Sequence, residues 1–303
     1  MSALARSVVV PGNHDGVHIG HRALFAHART VAAAESLEVV ALTFDPHPLR
    51  ELAPERAPTP LTTIARRVEL LRGAGADRVV IARFDAEYAA QTAEEWVDVQ
   101  LVRGLGARAL IVGPDFRFGR DRGGDLARLE ELGRARGFVV DVASEVRLSG
   151  TGERVSSTAV RSALSRGDVR HAAALLGRPH RVDGIVVRGH QRGRTIGFPT
   201  ANLEPDAILL PLDGVYAVRL ELADGTRHDG VANLGTRPTL AAGRSIEAHL
   251  FDWDGDLYGA RVSLELIERI RDERKFEGLE ALVAQIQRDA EAARALLAKE
   301  KTP

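Results

Sequence analysis

The stretch VVVPGNHDGVHIGH, Val8 to His21, decides the architecture of the first half of the chain. Its consecutive β-branched residues have the pattern of a strand buried on both faces. A proline and a glycine close that run, and further glycines lead into an amphipathic segment. The expected order is a strand ending at Val10, a glycine-rich turn, and a helix starting near Gly20. The helix's unpaired N–H groups and positive dipole end would face the turn. His18 and His21 are three apart, hence on one side of its first turn.

The same alternation continues to about Val146. LEVVALTF, DRVVIARF, ARALIVG and GFVVDVAS are brief apolar runs closed by turn formers. Between them HRALFAHARTVAAAES, TTIARRVELLRGAG, TAEEWVDVQLVRGLG and DLARLEELGRARG carry helical periodicity. Strands alternating with helices predict an α/β domain with a parallel sheet covered on both faces.

Near residue 180 the pattern changes. SSTAVRSALSRGDVRHAAALLGRPH contains short helical patterns and ends in a glycine and a proline that suit a linker. We place the domain boundary there, giving domains 1–178 and 179–303. RVDGIVVRG, GVYAVRLELADGTRHDGVANLG, SIEAHLFD and ARVSLELIERIRD then alternate in period two between glycine-rich turns, as in an antiparallel barrel or sandwich. The tail EGLEALVAQIQRDAEAARALLAKE is a long helical pattern with no chemistry of its own.

A chain of 303 residues, 45% hydrophobic and 27% charged, is long enough for about two globular cores. A formal net charge of −1 gives no global field for nucleic acid or an acidic membrane, so anion binding must come from local clusters. The absence of cysteine excludes disulfides, thiolate nucleophiles and cysteine-ligated metals. No run approaches the roughly 18 apolar residues of a spanning helix, and MSALARSVVVPG is too weakly apolar for a signal peptide, so the expected location is the cytoplasm.

The opening stretch supports two exclusive chemistries. Gly12-Asn13-His14-Asp15 resembles an element of binuclear metallophosphoesterases, in which Asn and His bind metal. Such a site also needs carboxylate and histidine ligands upstream, and none of the eleven residues before Gly12 is Asp, Glu or His. His18-Ile19-Gly20-His21 instead resembles the His-x-Gly-His element of nucleotidyltransferases, whose imidazoles donate to phosphoryl oxygens as charge develops on them. Taken alone, these histidines are as readily a helix cap and an exposed polar residue.

Other segments point to phosphate. TFDPHPL closes the second strand around His47, and VGPDFRFGRDRGGD, with Asp115, follows another strand as a loop rich in glycine and arginine. VSSTAVRSAL puts Ser157, Thr158 and Arg161 at a helix start, where hydroxyls, amides and a guanidinium converge on a polyphosphate. In GIVVRGHQRGRTIGFPTANL, Gly189, Gly193 and Gly197 permit close backbone approach to a phosphate, and Arg192 and Arg194 supply counter-charge. Thr200 and Asn202 share one face of an extended segment and offer hard oxygen ligands suited to Mg²⁺ carried by ATP. Glu247, in a period-two strand beside apolar residues, reads either as a solvent-facing glutamate, the commoner case, or as a base toward a hydroxyl. DWDGDLYG lacks the spacing of a calcium loop and is expected to be a hairpin turn.

In this order the motifs resemble the bacterial bifunctional riboflavin kinase/FAD synthetase (FMN adenylyltransferase) family. Val8 to Leu164 matches its adenylyltransferase module, and Asp183 to Glu268 its riboflavin kinase module, with the Pro-Thr-Ala-Asn element intact. The family usually reads Gly-x-Phe-Asp-Gly-Val-His-x-Gly-His at the first element, so His14 occupies a phenylalanine position. Leu240 likewise stands where phenylalanine is common. The resemblance implies a Rossmann-like nucleotidyltransferase domain followed by an antiparallel β-barrel kinase domain with a terminal helix. It implies phosphorylation of riboflavin to FMN, then adenylylation of FMN to FAD with release of pyrophosphate. Gly12, His18, Gly20, His21, Asp115, Ser157, Thr158 and Arg161 would bind ATP in the first module. Gly189, Gly193, Arg194, Gly197, Thr200 and Asn202 would hold ATP phosphates in the second. Thr200 and Asn202 would bind Mg²⁺, and Glu247 would deprotonate the ribityl hydroxyl. FMN and FAD are then substrate and products rather than redox cofactors, and no nucleic acid, membrane or obligatory protein partner is expected. The alternatives are a flavin-binding or regulatory homologue with one silent module and, more remotely, a metallophosphoesterase.

Overall fold

The structure, a computed structural model, describes residues 6–189, 197–236 and 244–300. It divides into two compact units, Met1–Ser157 and Thr158–Pro303.

The first unit runs β1 (Ser7–Pro11), α1 (Ile19–Glu35), β2 (Glu38–Asp45), α2 (Pro48–Leu52), α3 (Ile64–Gly73), β3 (Arg78–Arg83), α4 (Ala86–Ala90), α5 (Ala93–Trp96), β4 (Ala107–Val112), α6 (Leu126–Arg136) and β5 (Val139–Val142). Its sheet is entirely parallel in the order β3-β2-β1-β4-β5. The consecutive valines of β1 are explained by the layers on either side. Val8 and Val10 pack with Phe25, Ala28 and Leu71 on one face, and Val9 packs with Trp96, Leu101 and Leu129 on the other. β4 divides in the same way, Ala109 and Ile111 against Leu110 and Val112. β1 therefore buries every side chain and β4 all but Arg108, which is why alternation is absent from their apolar runs.

The strand order reverses between β1 and β4, the switch point of an open α/β sheet. Ligands bind at the carboxyl ends of the strands on either side of such a point. The turns carrying Gly12 to His18 and Gly113 to Phe118 leave those two ends. One expected helix differs in detail: after Trp96 the chain continues to Gly104 as a π-helical stretch.

The second unit contains α7 (Ser157–Ser165, whose first residue closes the first unit), α8 (Val169–Leu176), β6 (His180–Val187), β7 (Ala201–Pro205), β8 (Gly214–Glu221), β9 (Arg227–Thr236), β10 (Arg244–Leu250), β11 (Arg261–Arg271) and α9 (Leu279–Glu300). The strands are antiparallel and close as a barrel in the order β10-β7-β6-β11-β8-β9, which decides between barrel and sandwich. α8 packs against β11 and β6 of the barrel.

Period two is explicit in β10. Ile246, Ala248 and Leu250 are buried, whereas Glu247 and His249 point outward. α9 covers part of the outer face of the barrel, where Ala293 and Leu297 pack with Val215, Ala217 and Val231. A bidentate ion pair of Arg271 with buried Asp289, at 2.9 and 2.7 Å, fastens this helix to the end of β11.

DWDGDLYG is not a hairpin turn. It connects β10 to β11, which are not neighbours in the barrel, so the two strands cannot pair across it. Asp252 adopts a left-handed conformation (φ 56°), and Trp253 Nε1 donates to Gly255 O at 3.1 Å within a longer loop.

Candidate active sites

In the first unit, the turn from β1 to α1 is held in a conformation its residues adopt reluctantly. His14 and Val17 have φ of 49° and 40°, and Gly16 has φ of 82°. Left-handed backbone at a β-branched residue is strained and persists only where the surroundings enforce it. Asp15 supplies that enforcement. It is 2% exposed and accepts from the backbone N–H of Leu61 at 2.9 Å and of Thr62 at 3.2 Å. Arg67, also buried, lies 3.5 Å from the same carboxylate. Ser157 Oγ donates to the Asp15 carbonyl at 2.8 Å, and Thr43 Oγ1 to that of Asn13 at 2.9 Å.

The three polar residues of the apparent metallophosphoesterase element therefore serve the turn itself. Asp15 is spent on Leu61, Thr62 and Arg67, Asn13 meets His47 at 3.2 Å, and His14 Nε2 meets Val10 O at 3.1 Å. Among the described residues, no three His, Cys, Asp or Glu side chains group to hold a metal.

His18 is the N-cap of α1, with Nδ1 accepting from the backbone N–H of His21 at 3.2 Å. A capping Nδ1 carries no proton, so the neutral ring bears its proton on Nε2, the tautomer that can donate to an anion. The His18 and His21 rings stack with centroids 3.6 Å apart. His14 meets His21 edge-on at 5.0 Å and Phe25 at 5.4 Å. A Cβ at Gly20 would crowd the His18 ring at 3.1 Å. At Gly12 a Cβ would stand 2.9 Å from the His14 ring.

Burial is the main cause that holds His21 well below the usual histidine range, reinforced by His18, His14 and Arg67. The His14 ring, 1% exposed, is lowered from 6.5 to about 4, again chiefly by burial. This shift has a definite sign. A histidine depressed in the fold contributes stability that is complete above its unfolded value and is lost as pH falls from 6.5 toward about 4. The upper bound on the loss is about 3 kcal/mol. The melting temperature of the first unit should therefore fall steeply as pH drops across that window, and His14→Phe should flatten the fall.

The other residues expected to bind ATP with His18 and His21 are placed as follows. Asp115 is exposed on the loop after β4 and forms an ion pair with Arg154. Ser157, Thr158 and Arg161 all lie in α7, Ser157 with its hydroxyl on the Asp15 carbonyl, Thr158 exposed and Arg161 half-buried. Phe44, Phe84 and Tyr88 form one aromatic group, and Trp96, Phe116 and Phe118 a second. Trp96 Nε1 joins them by donating to Tyr88 Oη at 2.8 Å. The sequence reading missed these aromatics and the Asp15–Arg67 pair, because both are assembled from separated segments.

In the second unit, a cavity of about 700 Å³ is lined by Thr200, Asn233, Glu247, Glu273 and aromatic and aliphatic side chains that include Phe198, Phe276, Val231, Leu282 and Ile286. Glu247 stands directly opposite Asn202 on β7 and Asn233 on β9, so the three side chains share one face. Asn233 Nδ2 donates to Glu273 Oε1 at 3.0 Å. The tail helix, expected to be chemically inert, supplies Leu282, Ile286 and Asp289 to the wall. Its sequence periodicity marks an apolar face without disclosing that the face encloses a site.

A second cavity, about 360 Å³, is bounded by Pro199, Thr200, Ala201 and the loop Trp253 to Tyr258. Thr200 lines both cavities. Asn202 is 6% exposed and presses on Gly189, where a Cβ would lie 2.3 Å from its Nδ2. Gly189→Ala must displace that amide, an overpacking cost of about 1–3 kcal/mol. Any turnover that depends on Asn202 should therefore fall at least tenfold in Gly189→Ala, as initial rates would show. Gly197 has φ of 83° with open space around it. Gly193 and Arg194, with Arg192 and Leu240, lie outside the described residues.

Among the described residues no helix is long and apolar enough to cross a membrane. The FAD synthetase family model matches residues 1–159 and the riboflavin kinase model residues 176–297. The bifunctional riboflavin kinase/FMN adenylyltransferase of Escherichia coli K12 is 42% identical over 95% of this chain and 91% of its own. That of Pseudomonas fluorescens is 43% identical over 96% and 93%. A crystal structure from Streptococcus pneumoniae, described as a macrolide-efflux protein, superposes with a TM-score of 0.89 at 32% identity, covering 97% of this chain and 95% of that one. With both catalytic modules matched in order and close to full length, this chain belongs to the bifunctional riboflavin kinase/FMN adenylyltransferase family.

Proposed function

We propose that this chain converts riboflavin to FMN in its barrel and FMN to FAD in its α/β unit, each step consuming ATP. The observation that carries the kinase assignment is the row Asn202–Glu247–Asn233, which sets a carboxylate on the wall of an apolar, aromatic cavity beside Thr200. A flavin ring suits the larger cavity, between Phe198, Phe276 and the aliphatic wall. The nucleotide suits the smaller one, and Thr200 stands where the two substrates meet. Glu247 would take the proton of the ribityl hydroxyl as its oxygen attacks the γ-phosphorus and ADP leaves.

Thr200 and Asn202 fit a divalent cation delivered with ATP. Both donors are hard and neutral, and the Asn202 amide is buried and pinned by Gly189. Mg²⁺ bound there would offset charge on the transferred phosphoryl group. In the α/β unit, the FMN phosphate is already an anion and needs no base. His18, His21, Ser157, Thr158 and Arg161 would position ATP and offset charge on its α-phosphate and the departing pyrophosphate, with Gly12 and Gly20 leaving room for the imidazoles. Asp115 would contact the nucleotide or its metal once released from Arg154. The aromatic groups around Phe44 and Phe116 offer stacking surfaces for the flavin. We place the functional boundary at 178/179, the substrates as the small molecules riboflavin, FMN and ATP, and the site of action in the cytoplasm.

Labelled ATP tests the two displacements. Label from the γ-phosphate should appear in FMN, and label from the α-phosphate only in FAD. α-label in FMN, or γ-label absent from it, would refute the assignment.

A further inference from the structure

Two buried ring nitrogens in the first unit face no partner. His14 Nδ1 and His21 Nδ1 are both enclosed and make no hydrogen bond among the described residues. Burying a polar atom unpaired costs about 1–3 kcal/mol, so each such atom calls for a physical reason.

The state of His14 follows from its surroundings. Its Nε2 lies 3.1 Å from Val10 O, and a carbonyl can only accept, so Nε2 carries the proton. The lone pair of the neutral ring is therefore on Nδ1. His14 is thus a fixed acceptor, 1% exposed and held by left-handed backbone and by packing on Phe25. The ring it touches edge-on is His21, at 5.0 Å between centroids. The χ2 torsion of His21 is soft, so its ring can turn while the His14 ring stays fixed.

We propose that His14 is a positioning residue for His21, accepting its Nδ1–H when bound nucleotide draws a proton onto that ring, so that His21 presents Nε2–H to the phosphates. The proton comes from solvent on binding and returns when the nucleotide leaves, and no covalent bond changes. The proposal rests on the reading of His21 as a nucleotide-contacting residue. The groups facing His21 are His18, stacked at 3.6 Å on its own helix, His14 from the turn after β1, and Arg67 from α3, countered by Asp15 at 3.5 Å. This surrounding offers no net anion, so the ring is neutral until a polyphosphate arrives. A phenylalanine at position 14 would fill the same space without a lone pair.

The test is the pH dependence of FMN adenylylation by the full chain, supplied with FMN, ATP and Mg²⁺ from about pH 6 to about pH 9. His14→Phe should stay folded in a thermal melt. Its kcat at saturating ATP and FMN, which reports groups in the bound complex, should remain within about twofold of wild type at the acid end and fall about tenfold at the alkaline end, a shift of the alkaline limb by about one pH unit. His14→Asn, whose Oδ1 stands where Nδ1 does and which tolerates positive φ, should return the limb toward wild type. An unmoved limb in His14→Phe, a uniform loss at every pH, or an Asn variant that behaves as Phe would overturn the proposal. Full activity in His21→Ala would instead remove the reading on which it rests.

Discussion

Glu247→Ala is expected to abolish FMN formation from riboflavin while FAD synthesis from supplied FMN continues at the wild-type rate. A ribityl hydroxyl is a poor nucleophile until a base accepts its proton, and loss of a positioned base costs about 10²–10⁴-fold. The substitution spares the fold because Ile246 and Ala248, not Glu247, face the barrel core. Glu247→Gln should lose as much, since it preserves size and hydrogen bonding but cannot take the proton. Separate initial-rate assays with riboflavin and with FMN read the two steps. Retained phosphorylation would contradict the role of Glu247, and parallel loss of both steps from folded protein would contradict the separation of sites.

His21→Ala should produce the converse, a fall of about 10²-fold or more in FMN adenylylation, comparable to removal of one transition-state donor. The cap of α1 survives, because His18 Nδ1 accepts from the backbone N–H of residue 21 rather than from its ring. Phosphorylation of riboflavin should be untouched. The variant therefore separates a chemical role for the imidazole from a structural one, which a thermal melt of the same protein checks.

The two folds were legible where one physical constraint dominated a segment. Buried parallel strands need consecutive apolar residues, so VVV and its counterparts announced the sheet, and the outward-facing Glu247 kept the period of β10. Boundaries and long-range partners were less legible. Asp15 reads as part of a motif in sequence, yet its place is set by Leu61, Thr62 and Arg67, which lie roughly fifty residues away. DWDGDLYG has turn chemistry, but only the barrel order shows that its flanking strands do not pair. The tail helix has an ordinary amphipathic pattern, and only its seat on β8 and β9 makes Leu282 and Ile286 walls of a site. In sequence His14 is part of an apparent metal-ligand element and a departure from the family's phenylalanine, and only the fold discloses its burial against Val10 O and the His21 ring.

The central claim is that one chain performs both steps of flavin cofactor synthesis. Its most direct test is a time course of the wild-type protein with riboflavin, ATP and Mg²⁺, with the flavins separated by chromatography. FMN should rise first and FAD follow at its expense. Tight flavin binding without turnover, or accumulation of FMN with no FAD even when FMN is supplied, would contradict it.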